Sequence, residues 1–407
     1  MVGGLGLGGF LLFGCAAPVP RAPASDCTPH FPYSQGWLGG DAAYSVPLPP
    51  AHLGPPSAER TLWLFGDSFV SEEPAAANRE GAHFIHNSVA VSTCAEAGFE
   101  IEYFWQRTGP EGARAFLHPP RSTEEDTYWW LFGGFMNRGA LYLGLLEVTR
   151  TSPSGPLGLP FRLEGMKLAR IDRPEAPPLA WRPRIAALSR SDEAFPGAAM
   201  VVHEQHVYFF SFHSAQSPEQ SGFLARLPLD AMEPFPADLT DRLQTWTKGS
   251  LWQLGFRPDE AQSVMADSAT EMSVDFDPLL ERWLAVYGFP VMNPSGGHRP
   301  DASDLVLSDA VYARTSEDLE GPWSAPRTLY HFPEMSDTEH APGTFCYAAK
   351  AHPHLSPANA LLITYVCNLR TLPGQDALKT FVQLQRDMSI YVPRVVVLPR
   401  PWPSTPH

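Results

Sequence analysis

TLWLFGDSF (61–69), followed after a loop by HNSVAVST (86–93), is the stretch on which the fold turns. An apolar run ends in Gly66-Asp67-Ser68, and a second alternating run follows it. The pattern recurs as TYWWLFGGF…ALYLGLLEV (127–148), HVYFFSFHS…SGFLARLPL (206–229), RWLAVYGFP…DAVYARTSE (282–317) and ALLITYVCN…TFVQLQRDM (360–388). A further candidate strand precedes each copy: GDAAYSVPL (40–48), ARAFLHP (113–119), AAMVVHE (198–204), EMSVDFD (271–277) and FCYAAKAHP (345–353). Three-stranded units at roughly 70–85-residue spacing predict radial repetition, the way a β-propeller shields its sheet edges. The expected fold is all-β, a single five-bladed propeller over residues 31–400 with 401–407 as a tail.

The composition agrees. Of 407 residues 44% are hydrophobic, and the 43 prolines gather between the apolar runs, as in loop-rich all-β proteins. LDAMEPFPADLTDRLQTW (229–246) is the best helical candidate. A net charge of −15 argues against nucleic acid and anionic membrane surfaces as partners, and a monomer is expected. The chain carries no His-Glu-x-x-His zinc motif, Gly-x-Ser-x-Gly elbow or phosphate loop.

The N-terminus reads as an address. The apolar stretch LGLGGFLLFG (5–14) ends at Cys15, and Leu12-Phe13-Gly14-Cys15 resembles a bacterial lipoprotein box, although no Lys or Arg precedes it. Residues 1–14 are therefore expected to be a signal peptide, Cys15 the lipidated residue, and 15–30 a Pro/Ala-rich tether. Such a protein is exported, to the periplasm or the cell surface, and touches membrane only through its anchor. Export places Cys27, Cys94, Cys346 and Cys367 in an oxidising space. Cys346 opens the first strand of unit five and Cys367 closes the second, so antiparallel pairing makes a bridge there plausible, with Cys27–Cys94 as the other. The spacing leaves the connectivity open.

Within a unit the innermost and second strands are antiparallel neighbours. The start of one and the end of the other lie on the same face of the disc. Asp41 starts the innermost strand of unit one, Asp67 ends its second strand, and Glu271 starts the innermost strand of unit four. Three carboxylates thus converge on one rim of the channel. Cleaving a glycosidic bond needs such a set: one protonated acid for the leaving oxygen, and one ionised group to attack the sugar or activate water. Trp37, Tyr44, Trp181 and Tyr347 are candidate sugar platforms. Asn87 lies on the same face, and Arg182 suits a hydroxyl or carboxylate. Asp275 and Asp277 read as structural.

At these residues the chain resembles a known group. Gly40-Asp41-x-x-Tyr44-Ser45-Val46-Pro47-Leu48, then LWLFGDSF (62–69) and Asn87-Ser88, look like the opening blade of the "domain of unknown function 4185" family. Glu271-Met272-Ser273-Val274, Tyr312-Ala313-Arg314-Thr315-Ser316, Leu319-Glu320-Gly321-Pro322-Trp323 and the run from Tyr347 to His352-Pro353 extend the likeness. The resemblance implies a propeller related to the arabinanase and xylosidase clan, acting on a polysaccharide that contains arabinofuranosides. It implies Asp41 as base or nucleophile, with Asp67 or Glu271 as acid. It implies no cofactor beyond a channel water or calcium ion near His352. The alternative is a non-catalytic propeller that binds carbohydrate or protein. A sialidase-like enzyme is suggested only by Ser316-x-Asp318 with Gly321-Pro322-Trp323. The segment from Pro234 to Ala266, with Trp246 and Trp252, is a candidate for remodelling the cleft.

Overall fold

A computed structural model describes residues 27–51, 59–95, 98–107, 112–120, 126–151, 161–213, 221–266, 269–288, 308–336, 340, 342–372, 374–400 and 402. The signal segment, Cys15 and most of the tether lie outside these residues. The fold is an all-β five-bladed propeller.

Blade one runs outward through Trp37–Leu48, Glu59–Val70, Ser88–Ala95 and Gly98–Phe104, with His83–Ile85 paired to the end of the second strand. Blade two is Thr127–Asn137, Ala140–Arg150, Phe161–Ile171 and Arg184–Ser189. Blade three begins Ala194–His203, His206–His213, Gly222–Pro228, and blade four is Met272–Asp277, Arg282–Gly288, Ala310–Ser316 and Arg327–His331. Blade five has three strands, Thr344–Ala351, Ala360–Leu369 and Arg394–Pro399. Every neighbouring pair is antiparallel, and the apolar faces pack blade against blade.

Three sequence expectations are corrected. ARAFLHP is not the inner strand of blade two; it supplies only Ala113–Arg114, paired with Gln106–Arg107. TYWWLFGGF takes the inner place instead, because Arg138 and Gly139, both at positive φ, form the tight hairpin turn that a twisted two-stranded ribbon favours. TFVQLQRDM is not a strand: residues Ala377–Arg386 are helical, and the Asp376 carboxylate caps the Leu378 amide. Phe381 and Leu384, three residues apart, share the helix face that packs on the blade-five core. The segment 229–246 forms short 3₁₀ turns at Leu229–Met232 and Thr240–Arg242 and then a strand, with Pro234 and Pro236 interrupting any helix. That strand, Gln244–Thr247, pairs with Leu251–Leu254 on the outer edge of blade three. There Trp252 donates to Glu320 at 3.2 Å, so this insertion extends a blade edge.

Among the described residues each blade is one contiguous piece of chain, so no shared strand closes the ring. Arg79 helps to close it. Its buried guanidinium donates to the carbonyls of Leu38 (2.7 Å) in blade one and of Leu384, Asp387 and Ile390 (2.9, 2.9 and 2.7 Å) in blade five. Disulfides join Cys27 to Cys94 and Cys346 to Cys367. The second pair sits directly across two antiparallel strands. No helix of the described residues is long and apolar enough to cross a membrane.

Candidate functional site

Two strands break their regular pleat to make the upper mouth of the channel. In blade one, Ala42 and Ala43 adopt φ of 67° and 56°, and the register with the neighbouring strand shifts around them. In blade five, Ala348 does the same at 58°, between Tyr347 and Lys350. A non-glycine residue seldom takes this conformation, which clusters at sites where the chain must present particular groups. Here the carbonyls of Ala42 and Ala348 turn toward the Lys350 ammonium.

Lys350 is almost fully buried. It donates to Glu271 Oε2 (2.7 Å), Ala42 O (2.7 Å) and Ala348 O (2.9 Å), and its nitrogen lies 4.1 Å from the centre of the Tyr44 ring. An ammonium has three protons, so all are used. Lys350 therefore fixes Glu271 and ties blades one, four and five together. Burial pulls its pKa down, opposed by Glu271.

Asp41 faces this pair across the mouth. Its Oδ2 accepts from Tyr347 (2.7 Å) and Tyr391 (3.3 Å). Its Oδ1 occupies space that only Gly66 leaves open: a Cβ at Gly66 would fall 2.4 Å from that oxygen. Burial, then the charges of Asp67 and Glu271, push the Asp41 carboxyl well above the ordinary carboxylate range, against the pull of Tyr347 and Lys350. Asp67 Oδ1 accepts from Trp130 Nε1 at 2.8 Å and lies 2.9 Å from His86 Nδ1. Asp41, Asp67 and Glu271 each keep part of their surface exposed.

The other candidates divide. Tyr347 and Tyr44 belong to this region, with Tyr347 on Asp41 and Tyr44 under Lys350. Trp37 does not: it is buried in blade one, stacked on Tyr103 at 4.4 Å and 7°, and donates to Ser88. Asn87 is fully buried. Its amide nitrogen donates to the carbonyls of Leu117 and Trp129, and its oxygen accepts from the Leu117 amide, so it staples the approach to blade two. Trp181 donates to Ala176 O and packs edge-on against Phe116, while Arg182 bonds the carbonyl of Trp181. Trp37, Trp181 and Asn87 spend their rings and amide on the fold itself, while Arg182 is exposed.

His352 stands further down the channel. Its Nδ1 meets Ser45 Oγ at 2.5 Å and its Nε2 meets Thr364 Oγ1 at 2.7 Å. Both ring nitrogens are committed, and calcium needs six to eight oxygen ligands, so this imidazole does not fit a calcium ion. Glu334 with Cys346 and Cys367 has metal-ligand residue types within reach, but the two sulfurs are bonded to each other.

Lys350, His86, Trp130 and Tyr391 were absent from the sequence-based list. A lysine inside the apolar strand run Tyr347-Ala348-Ala349-Lys350-Ala351 is a signal that could have been used, because a buried charge demands a partner.

A family model described as "Domain of unknown function (DUF5005)" matches residues 26–398. The chain belongs to that family. The expected membership of the domain of unknown function 4185 family is thereby overturned. No curated protein matches this DUF5005 chain. Its fold is similar to the crystal structure of a Bacteroides ovatus protein described as a candidate hydrolase. That pair shares 17% identity with a TM-score of 0.62, covering 89% of this chain and 86% of the other. An endo-arabinase from Bacteroides thetaiotaomicron superposes at 0.42, with 11% identity over 94% of this chain and 99% of that one. A GH43_1 enzyme from Xanthomonas citri superposes at 0.42, with 12% identity over 92% and 90%. The last two superpositions are too loose to bear on chemistry.

Proposed function

We propose that this DUF5005 protein is a glycoside hydrolase working at the upper mouth of its channel. One observation carries the reading: Asp41, Asp67 and Glu271 gather at one mouth of the channel, each held by a fixed donor, and burial with the charges of the other two pushes the Asp41 carboxyl well above the ordinary carboxylate range. Neighbouring like charges disfavour full ionisation of such a cluster, and burial adds to that effect at Asp41. That favours Asp41 as the acid that protonates the leaving oxygen, with Glu271 or Asp67, each fixed by a nitrogen donor, activating water or attacking the anomeric carbon. The sequence-based expectation gave Asp41 the basic role. The altered assignment follows from its side chain bonding only tyrosine hydroxyls among the described residues.

The substrate in this reading is an oligo- or polysaccharide, met in the periplasm or at the cell surface by an exported, lipid-anchored monomer. A second reading keeps the same face as a non-catalytic binding surface. It is favoured by the ties that Asp67 and Glu271 already make, to His86 and to Lys350.

Reducing-end release from a panel of polysaccharides tests the reading, comparing wild type with Asp41→Asn, Asp67→Asn and Glu271→Gln. Aryl glycosides whose leaving groups need no proton should rescue Asp41→Asn, and azide should rescue the variant that has lost the base. Azide rescue of Asp41→Asn alone would reverse the roles. No release from any glycan, with binding retained, would favour the non-catalytic reading.

A further inference from the structure

His86 and Arg150 are not used by the hydrolytic steps above. Arg150 Nη2 lies 2.9 Å from His86 Nε2, and His86 Nδ1 lies 2.9 Å from Asp67 Oδ1. A guanidinium can only donate. Nε2 must therefore carry the lone pair, and in the neutral ring the proton sits on Nδ1, directed at Asp67.

Separate parts of the fold hold this arrangement. His86 lies between His83–Ile85 and Ser88–Ala95 of blade one. Its ring stacks on Tyr128 of blade two, 3.6 Å between centroids and 17° between planes. Arg150 ends the neighbouring strand of blade two. Its guanidinium lies 5.7 Å from the Tyr128 ring centre, and its amide donates to Asp126 O. Trp130 reaches Asp67 Oδ1 from the inner strand of the same blade. Two donors on Oδ1 leave Oδ2 as the oxygen with no bonded partner among the described residues.

We propose that Arg150 and His86 are positioning residues for Asp67. Arg150 selects the Nδ1–H tautomer, and that tautomer pins Oδ1 so that Oδ2 is presented to the substrate. The role presumes the hydrolase reading; the tautomer does not.

The test uses the full chain. ¹⁵N imidazole spectra of wild type should show His86 protonated on Nδ1 and bare on Nε2, and Arg150→Met should move the ring toward the Nε2–H form. On a glycan that wild type cleaves, His86→Phe keeps the stack on Tyr128 and removes the donor. It and Arg150→Met should each lower kcat by about 10–100-fold, the range in which outer-shell partners act, with KM within about twofold. His86→Asn, which restores an N–H near Nδ1, and Arg150→Lys should recover most of the loss. A wild-type ring protonated on Nε2 would overturn the proposal, as would His86→Phe matching His86→Asn in kcat. A wild type that cleaves nothing, yet shows an Nδ1–H ring that Arg150→Met abolishes, would sink the hydrolase reading and still support the pair as the holder of Asp67.

Discussion

At the upper mouth of the channel Asp41, Asp67 and Glu271 each meet at least one fixed donor. At the lower end of the same strands Asp275 meets none among the described residues. It lines a cavity of about 370 Å³ with Ser45, Met136, Met200 and His352. Burial alone pushes its carboxyl up to about 7. The two ends show why a shifted pKa is a poor marker of a site by itself. Desolvation raises the pKa of any carboxyl that the fold traps. What separates the upper mouth is that partners control where the proton rests and which way each oxygen points. The lower carboxylate has a perturbed proton affinity with nothing to direct it.

That contrast is broken most sharply by paired substitutions. Asp41→Asn is expected to lower kcat by about 10²–10⁴-fold, the usual reach of acid–base groups. Asp275→Asn should leave kcat unchanged on the same glycan. Equal losses in both variants would erase the distinction between the two ends. Next in size is Lys350→Met. It keeps the side-chain length but strips three acceptors, Glu271 and the carbonyls of Ala42 and Ala348, of their donor. Breaking such a buried pair from one side costs about 3–5 kcal/mol, read by urea denaturation. Adding Glu271→Gln should recover part of that cost, because the two residues are in contact and their effects are not additive.

Much of this was legible in sequence where the signal is local and periodic. The alternation in Met272–Asp277 and Arg282–Gly288 identified blade four, and strand polarity alone put Asp41, Asp67 and Glu271 on one face. Blade two was misframed because the decision lay in a two-residue turn, Arg138-Gly139, rather than in the apolar runs flanking it. The helix at Ala377–Arg386 was missed because Phe381, Val382 and Leu384 satisfy strand and helix periods over so short a window. Lys350, His86 and Arg150 act through residues 79, 19 and 64 positions away. No pattern along the chain encodes bonds of that reach. Trp37, Trp181 and Asn87 were overread for the opposite reason: aromatics and a buried amide suit a sugar site and a packed blade equally well.

Gly66→Ala sharpens the comparison at atomic scale. The added Cβ would sit 2.4 Å from Asp41 Oδ1, and the carboxylate cannot yield without loosening its bonds to Tyr347 and Tyr391. A misplacement of about 1 Å costs on the order of 10² in rate. The expected outcome is that loss in kcat with the urea midpoint little changed. A fall in stability with kcat preserved would mean that the glycine serves the strand rather than the carboxylate.

The smallest effect belongs to the lower end and is seen only as a slope. Asp275 has a native pKa of about 7, against roughly 4 in an unfolded chain. Between those values the native state keeps a proton that the unfolded state has released. Because the native state then binds more protons, stability falls as pH rises through that window and levels off above it. Asp275→Asn removes the titration. Relative to wild type, the variant should gain nothing near pH 4 and gain progressively to pH 7. Since the side chain is only half-buried, the gain should be on the order of 1–2 kcal/mol rather than the full 1.4 kcal/mol per pH unit. Urea titrations at intervals from pH 4 to 8 read the difference directly. A constant offset across that range would mean that Asp275 binds its proton equally well in the native and the unfolded chain, so that burial does not raise its carboxyl. The lower end of the channel would then hold an ordinary carboxylate rather than a trapped one, and the contrast between the two ends would rest on their bonded partners alone.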